Sequence, residues 1–174
     1  PPVSGDGCGI TGGSGGQGVA MTDSFSEAGL RVPSLTKDSL DKLAGFFTLI
    51  GGSYLNPIDT ANENRNNMPR ILDILAHDAN IDNVVLLGGA RGGSGPQAEA
   101  LLNTLTEIRK SGKPVVALMP LSYSFTGGEA EQAGAAILRM QKIGIPVFFS
   151  FERGAAALKK VLDYYKIKKS LIAG

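Results

Sequence analysis

Two stretches, KSGKPVVALM (residues 110–119) and KIGIPVFFSF (residues 142–151), repeat one pattern. In each, a Lys closes a segment whose apolar residues recur at helical spacing. A Gly follows two residues later, and a Pro then blocks further helix just before a Val-led apolar run. The unit is a helix that stops and feeds a strand, written twice. The first helix turns Ala98, Leu101, Leu102, Leu105 and Ile108 inward, and the second Ala133, Ala136, Ile137 and Met140. Upstream, NVVLLGG (83–89) lacks polar alternation, as a strand covered on both faces of a parallel sheet does. NNMPRILDILAHDAN (66–80) reads as a helix with Met68, Ile71, Leu72 and Leu75 on one face. Residues 36–50 read as another, capped by Thr36 or Ser39, with Leu40, Leu43, Phe46, Phe47 and Ile50 inward. A last helix, 153–165, turns Ala156, Leu158, Val161, Leu162 and Tyr165 inward. LRVPSL (30–35) reads as a short extended segment with an edge-tolerated proline. This alternation predicts an α/β fold, a three-layer, doubly wound, parallel five-stranded sheet. Its strands fall near 8–12, 30–34, 83–88, 114–119 and 145–149, in the flavodoxin-like order 2-1-3-4-5.

The composition is globular. Of 174 residues, 43% are hydrophobic and 19% charged, enough chain for one domain with a real core. A formal net charge of +1, with a small cluster at Lys166, Lys168 and Lys169, gives no electrostatic footprint for nucleic acid. No apolar run reaches the roughly 18 residues that a membrane span needs. A single Cys8 forms no internal disulfide, and no signal peptide precedes it, which favours a cytoplasmic setting. The chain opens Pro1-Pro2 without a methionine, as a piece or subunit of a larger protein would.

GITGGSGGQGVAMTDSF (9–25) packs six glycines into the ten residues from Gly9 to Gly18, and a helix, read over 17–29, follows at once. Glycine that dense costs backbone entropy unless something needs the bare backbone. The loop lies between the first strand and first helix, at the carboxyl edge where such sheets bind ligands. Bare N–H groups and a helix N-terminus form an anion site there, suited to phosphate, over Gly12, Gly13, Ser14, Gly15, Gly16, Gln17 and Gly18. No Gly-Lys-Ser/Thr closes a Walker loop, and GGSGGQG matches the dinucleotide fingerprint only weakly. The bland alternative is a tight turn without a ligand. A second glycine-rich loop, GGARGGSGPQ (88–97), falls at the same edge, where Gly89, Arg91, Gly92, Gly93 and Ser94 form either a further anion contact or a flexible connection. Thr126 and Glu129 fit a capping box. The only histidine, His77, falls opposite the apolar face of its helix and reads as a surface residue. Cys8 reads as a small buried hydrophobe. No residue here reads as catalytic or metal-binding.

ITGGSGGQGVAMTDSFSEAGLRVPSLTKDSLDKL (10–43), NPID (56–59), ILDILAHDANIDNVVLL (71–87), GKPVVALM (112–119) and IGIPVFFSFERGAAAL (143–158) resemble, in order, the ligase-CoA domain of ADP-forming (NDP-forming) acyl-CoA synthetases, in the superfamily of succinyl-CoA synthetase. The resemblance runs from about Gly7 to Tyr165, with the chain 1–174 as a single such domain. Its most specific elements are the Ser14-Gly15-Gly16-x-Gly18-Val19 turn and Asn56-Pro57-x-Asp59. Gly13 and Gln17 stand where members commonly carry Asn and Pro.

The resemblance implies a part in interconverting acyl-CoA, ADP and phosphate with carboxylic acid, ATP and CoA, through an acyl phosphate and a phosphohistidine. That histidine, the CoA site and the ATP-grasp module with its nucleotide and Mg²⁺ lie on neighbouring domains or subunits. This domain would bind no cofactor tightly and would not turn over alone. Its first helix, beginning near Gln17, would help to hold the phosphoryl group on the partner's histidine. Asn56, Pro57 and Asp59 would support the loop, with Asp59 ordering it rather than binding an anion. The alternative is a non-catalytic ligand-sensing or scaffold module, as in protein acetyltransferases that carry this region. A flavodoxin-like FMN carrier is weaker, because the chain has no tryptophan.

Overall fold

The computed structural model describes residues 1–60, 62–88, 95–110, 112–120 and 128–173. Its elements in chain order are β1 (Cys8–Thr11), α1 (Gly15–Glu27), α2 (Lys37–Ala44), a 3₁₀ helix (Asn62–Asn67), α3 (Met68–His77), β2 (Asn83–Leu87), α4 (Pro96–Lys110), β3 (Val115–Leu118), α5 (Gly128–Lys142), β4 (Val147–Phe148) and α6 (Phe151–Ala173). The strands form one parallel sheet in the order β1-β2-β3-β4.

Alternate strand residues serve the two faces, which explains why the strands read as unbroken apolar runs. Cys8, Ile10, Val85, Leu87, Val116 and Leu118 pack with Met21 and Phe25 of α1 and with Ala155, Leu158 and Leu162 of α6. Val84, Leu86, Val115 and Ala117 face the opposite way, into a layer built on Leu43, Leu72, Leu75, Leu105, Ile108 and Met140 from α2 to α5. Three layers result, as the sequence predicts.

The sheet departs from expectation in strand number and order. The expected second strand, 30–34, is reduced to one parallel bridge, Gly7 to Arg31, so four strands are present among the described residues and β1 is at the edge. Its physical cause lies in two residues. Pro33 has no N–H to continue the ladder. Beyond it, the Asn56 side chain occupies the outer edge of β1, accepting from Ile10 N–H at 2.9 Å and donating to the Cys8 carbonyl at 2.9 Å and the Pro33 carbonyl at 2.8 Å. Ile58 then takes over, donating to the Ile10 carbonyl at 2.8 Å and accepting from Gly12 N–H. The edge is sealed by a side chain and loop backbone.

Helix limits differ too. Thr36 caps α2 as expected, accepting from Ser39 N–H, but the helix stops at Ala44 and leaves Ile50 exposed. α6 turns Leu158, Leu162 and Tyr165 inward as expected, together with Ala155, whereas Ala156 and Val161 face solvent. The capping pair cannot be compared, since Thr126 lies outside the described residues.

Candidate anion site

The glycine loop leaves the carboxyl end of β1 and turns into α1 at Ser14, whose φ of −111° and ψ of 167° are those of an N-cap. α1 therefore begins at Gly15, two residues earlier than the sequence reading. The glycines of the loop stand in different surroundings. Gly12 and Gly13 have φ of +106° and +76°, and a Cβ on either would lie 2.4 Å from Leu87. Gly18 is bare because α1 crosses the Asn56-Pro57 turn there, where a Cβ would meet Pro57 Cγ at 3.2 Å. At Gly15 a Cβ would sit 3.3 Å from Asp59 Oδ2. At Gly16 a Cβ would meet nothing within 4 Å, and its φ is not left-handed. The fold has no use for a glycine at position 16.

Three of the amides expected to face a ligand are engaged within the chain. Gly12 N–H donates to the Ile58 carbonyl, Gly18 N–H to the Ser14 carbonyl at 2.9 Å, and Ser14 N–H to Gln17 Oε1 at 3.1 Å. The last bond belongs to a capping box, a motif legible as Ser-x-x-Gln but passed over in the sequence reading. What faces solvent is the exposed first turn at Gly15 and Gly16, whose N–H groups have no intrahelical acceptor. α1 has no acidic residue in its own first turn to complement the positive end of its dipole.

The residues of the second motif do meet this loop. Asn56 stitches β1 to Pro33, Pro57 follows a cis peptide bond and lies against Gly18, and Asp59 is held by its N–H to the Ser53 carbonyl at 2.8 Å with its carboxylate beside Gly15. Asn64, fully buried and missed in the sequence, anchors the intervening loop by bonding the N–H and carbonyl of Thr48 at 2.9 and 2.7 Å. Gly89, Arg91, Gly92, Gly93 and Ser94 lie outside the described residues.

Other reactive types are placed elsewhere. His77 has a side chain 68% exposed and sits beside Asp73 of its own helix, with Nδ1 2.8 Å from the Asp73 carbonyl. It borders a cleft between α2 and α3 in which Lys42 pairs with Asp38, His77 lies beside Asp73 and Arg70 stacks over the Phe46 ring at 3.9 Å. Cys8 is fully buried. Loss of hydration, reinforced by the charges of Asp6 and Asp82, pushes its thiol up to about 12, which makes it inert as a nucleophile. Among the described residues, no three His, Cys, Asp or Glu side chains gather as a metal site would require, and no helix is long and apolar enough to cross a membrane.

No family model matches the chain and no curated protein does. Solved structures do. The chain is similar to PH0766 from Pyrococcus horikoshii OT3, with a TM-score of 0.77 and 23% identity over 95% of this chain and 37% of that one. It is also similar to the dinucleotide forming acetyl-coenzyme A synthetase 1 of Ca. Korarchaeum cryptofilum. The apo form gives a TM-score of 0.72 at 17% identity, and the complex with phosphate and ADP gives 0.72 at 16%, each over 99% of this chain and 36% of the other. At these identities the likeness is one of fold. The chain spans little more than a third of the length of these proteins.

Proposed function

We propose that residues 1–174 form a single flavodoxin-like ligase-CoA domain of an ADP-forming acyl-CoA synthetase, and that the first turn of α1 holds a phosphoryl group presented by a partner domain. The observation that carries this reading is Gly16. Gly12 and Gly13 are held by their positive φ and the approach of Leu87, and Gly18 packs on Pro57, whereas Gly16 is exposed with open space around it. A glycine that the fold does not need, beside amides without helical acceptors, is what close approach by an external anion requires. The exposed Val19 and Leu55, each next in sequence to the Gly18 and Asn56-Pro57 contact, supply apolar surface for the partner. The sequence resemblance and the fold shared with an acetyl-coenzyme A synthetase support the same reading.

In this proposal the chain contributes donors and shape, and no side chain of it forms or breaks a bond. Gly15 and Gly16 would stabilise charge on the phosphoryl oxygens through preorganised amides, the kind of donor worth about 2.7–4 kcal/mol each at an oxyanion. Asp59 would fix the loop from below. CoA, nucleotide and Mg²⁺ would be held by the CoA-binding, phosphohistidine and ATP-grasp parts of the same cytoplasmic enzyme. The test is an assay of the complete gene product in the direction acyl-CoA, ADP and phosphate to acid, ATP and CoA. Turnover that falls at least a hundredfold in a folded Gly16→Val variant supports the proposal. Turnover that is absent from the unmodified protein, or unaffected by the substitution, overturns it.

A further inference from the structure

Between α2 and α3 lies a cleft of about 510 Å³ that shares no residue with the glycine loop. Its floor includes Ser39 and Ile74, both buried, and its walls are charged. Asp38 and Lys42 come from α2. Arg70, Asp73 and His77 recur three and four residues apart on α3, which puts them on one face of that helix. The charge contacts run along each helix. Lys42 pairs with Asp38, and Nδ1 of His77 lies 3.3 Å from Asp73 Oδ1 and 2.8 Å from the Asp73 carbonyl. No ion pair between described residues joins the two walls, so the cleft is not closed by its own charges.

Arg70 differs from the other charged groups. Its guanidinium lies 3.9 Å from the centre of the Phe46 ring, and no carboxylate of the described residues pairs with it. Stacking fixes the plane of the guanidinium and leaves its N–H edge for an acceptor, the arrangement that receives a carboxylate through two parallel hydrogen bonds. Farther along, two carboxylates share one lysine. The hydrogen bond and charge of Asp38, with a smaller part from Asp73 across the cleft, hold the Lys42 ammonium above its ordinary pKa. Lys42 is bonded to Asp38, and a neutral His77 meets the Asp73 carbonyl as a donor, which leaves the Asp73 charge uncompensated. The cleft is therefore dipolar, positive at Arg70 and negative at Asp73, on neighbouring positions of one helix face about 5–6 Å apart.

We propose that this cleft binds a free α-amino acid with a short apolar side chain, its carboxylate on Arg70, its ammonium on Asp73 and its side chain beside Ile74 and Ala79. A zwitterion is the charge complement of such a cleft. A simple anion would meet Asp38 and Asp73 as well as Arg70, and a simple cation would meet Arg70 and Lys42. The site is independent of the phosphoryl reading.

The test is a titration of the ¹⁵N-labelled chain with L-valine, followed at Arg70 Nε–H and the backbone amide of Ile74. N-acetyl-L-valine, which lacks the ammonium, and L-valine methyl ester, which lacks the carboxylate, are the controls. Saturable shifts with L-valine are expected, with binding of either derivative weaker by about tenfold or more. Arg70→Gln and Asp73→Asn should each weaken L-valine binding by about tenfold, with circular dichroism unchanged because both side chains are exposed. No saturable shift, binding of either derivative equal to that of L-valine, or binding that survives both substitutions would each overturn the proposal.

Discussion

Replacing Gly16 by Ala separates a glycine kept for the fold from one kept for a ligand. A Cβ at this position meets nothing within 4 Å and the backbone is helical. Ala is favoured over Gly in a helix by about 0.8–1.0 kcal/mol in the interior, and by less in the first turn, so a gain of about 0.5 kcal/mol is expected. For a domain of this size that raises the melting temperature by roughly 1–2 °C. The same methyl group projects beside the amides of Gly15 and Gly16, where it would hold an incoming phosphoryl oxygen away from hydrogen-bond distance. Losing one donor of this kind costs about 10²–10³ in rate. The variant should thus be slightly more stable and at least a hundredfold slower in the complete enzyme. Thermal unfolding by circular dichroism gives the first number and steady-state turnover the second. A variant that is more stable and fully active would refute the reasoning, and the glycine loop would then be a turn and nothing more.

Further outcomes follow from individual contacts. Asn56→Ala strands Ile10 N–H and two carbonyls at the edge of β1, and should cost about 3 kcal/mol in urea unfolding, at 1–3 kcal/mol per unsatisfied buried group. Asp78 is 1% exposed. Burial alone would raise its pKa, but hydrogen bonds from Ser39, Thr36 and Asn80 outweigh that and hold it below the ordinary value. Its contribution is therefore complete above the unfolded-state value of about 3.9 and is lost as pH falls through the lowered folded-state value. Stability in that window should drop by up to about 1.4 kcal/mol per pH unit, and less steeply in Asp78→Asn. The Cys8 thiol should not react with a disulfide reagent at pH 8 in the folded chain, and should react at once in 6 M guanidinium, because its burial raises its pKa to about 12.

Legibility in the sequence followed the range of the interactions. The strands of the sheet centre could be read because β2 and β3 are covered on both faces and show it as unbroken apolar runs, and α3, α4 and α5 because their stripes have a regular period. The edge could not be read, because what replaces the expected second strand is the side chain of Asn56, 46 residues from its partner at Ile10. On α6, Leu158, Leu162 and Tyr165 were legible as inward, but Ala156 and Val161 were not separable from them, because the helix carries apolar residues on more than one face. At the site, the density of glycine was legible but its division of labour was not. That Gly18 serves Pro57, that Gly12 and Gly13 serve Leu87, and that Gly16 serves nothing inside the chain depends on contacts across the loop.

Whether the first-turn amides of α1 bind an anion is read from a titration of inorganic phosphate into the ¹⁵N-labelled chain, followed by amide chemical shifts. Saturable shifts are expected at Gly15 and Gly16, weakened by salt and absent in Gly16→Val, with Gly12 and Gly18 moving little because their N–H groups are already bonded to Ile58 and Ser14. Shifts that are absent, that do not saturate, or that centre on the lysines of α6 would contradict it.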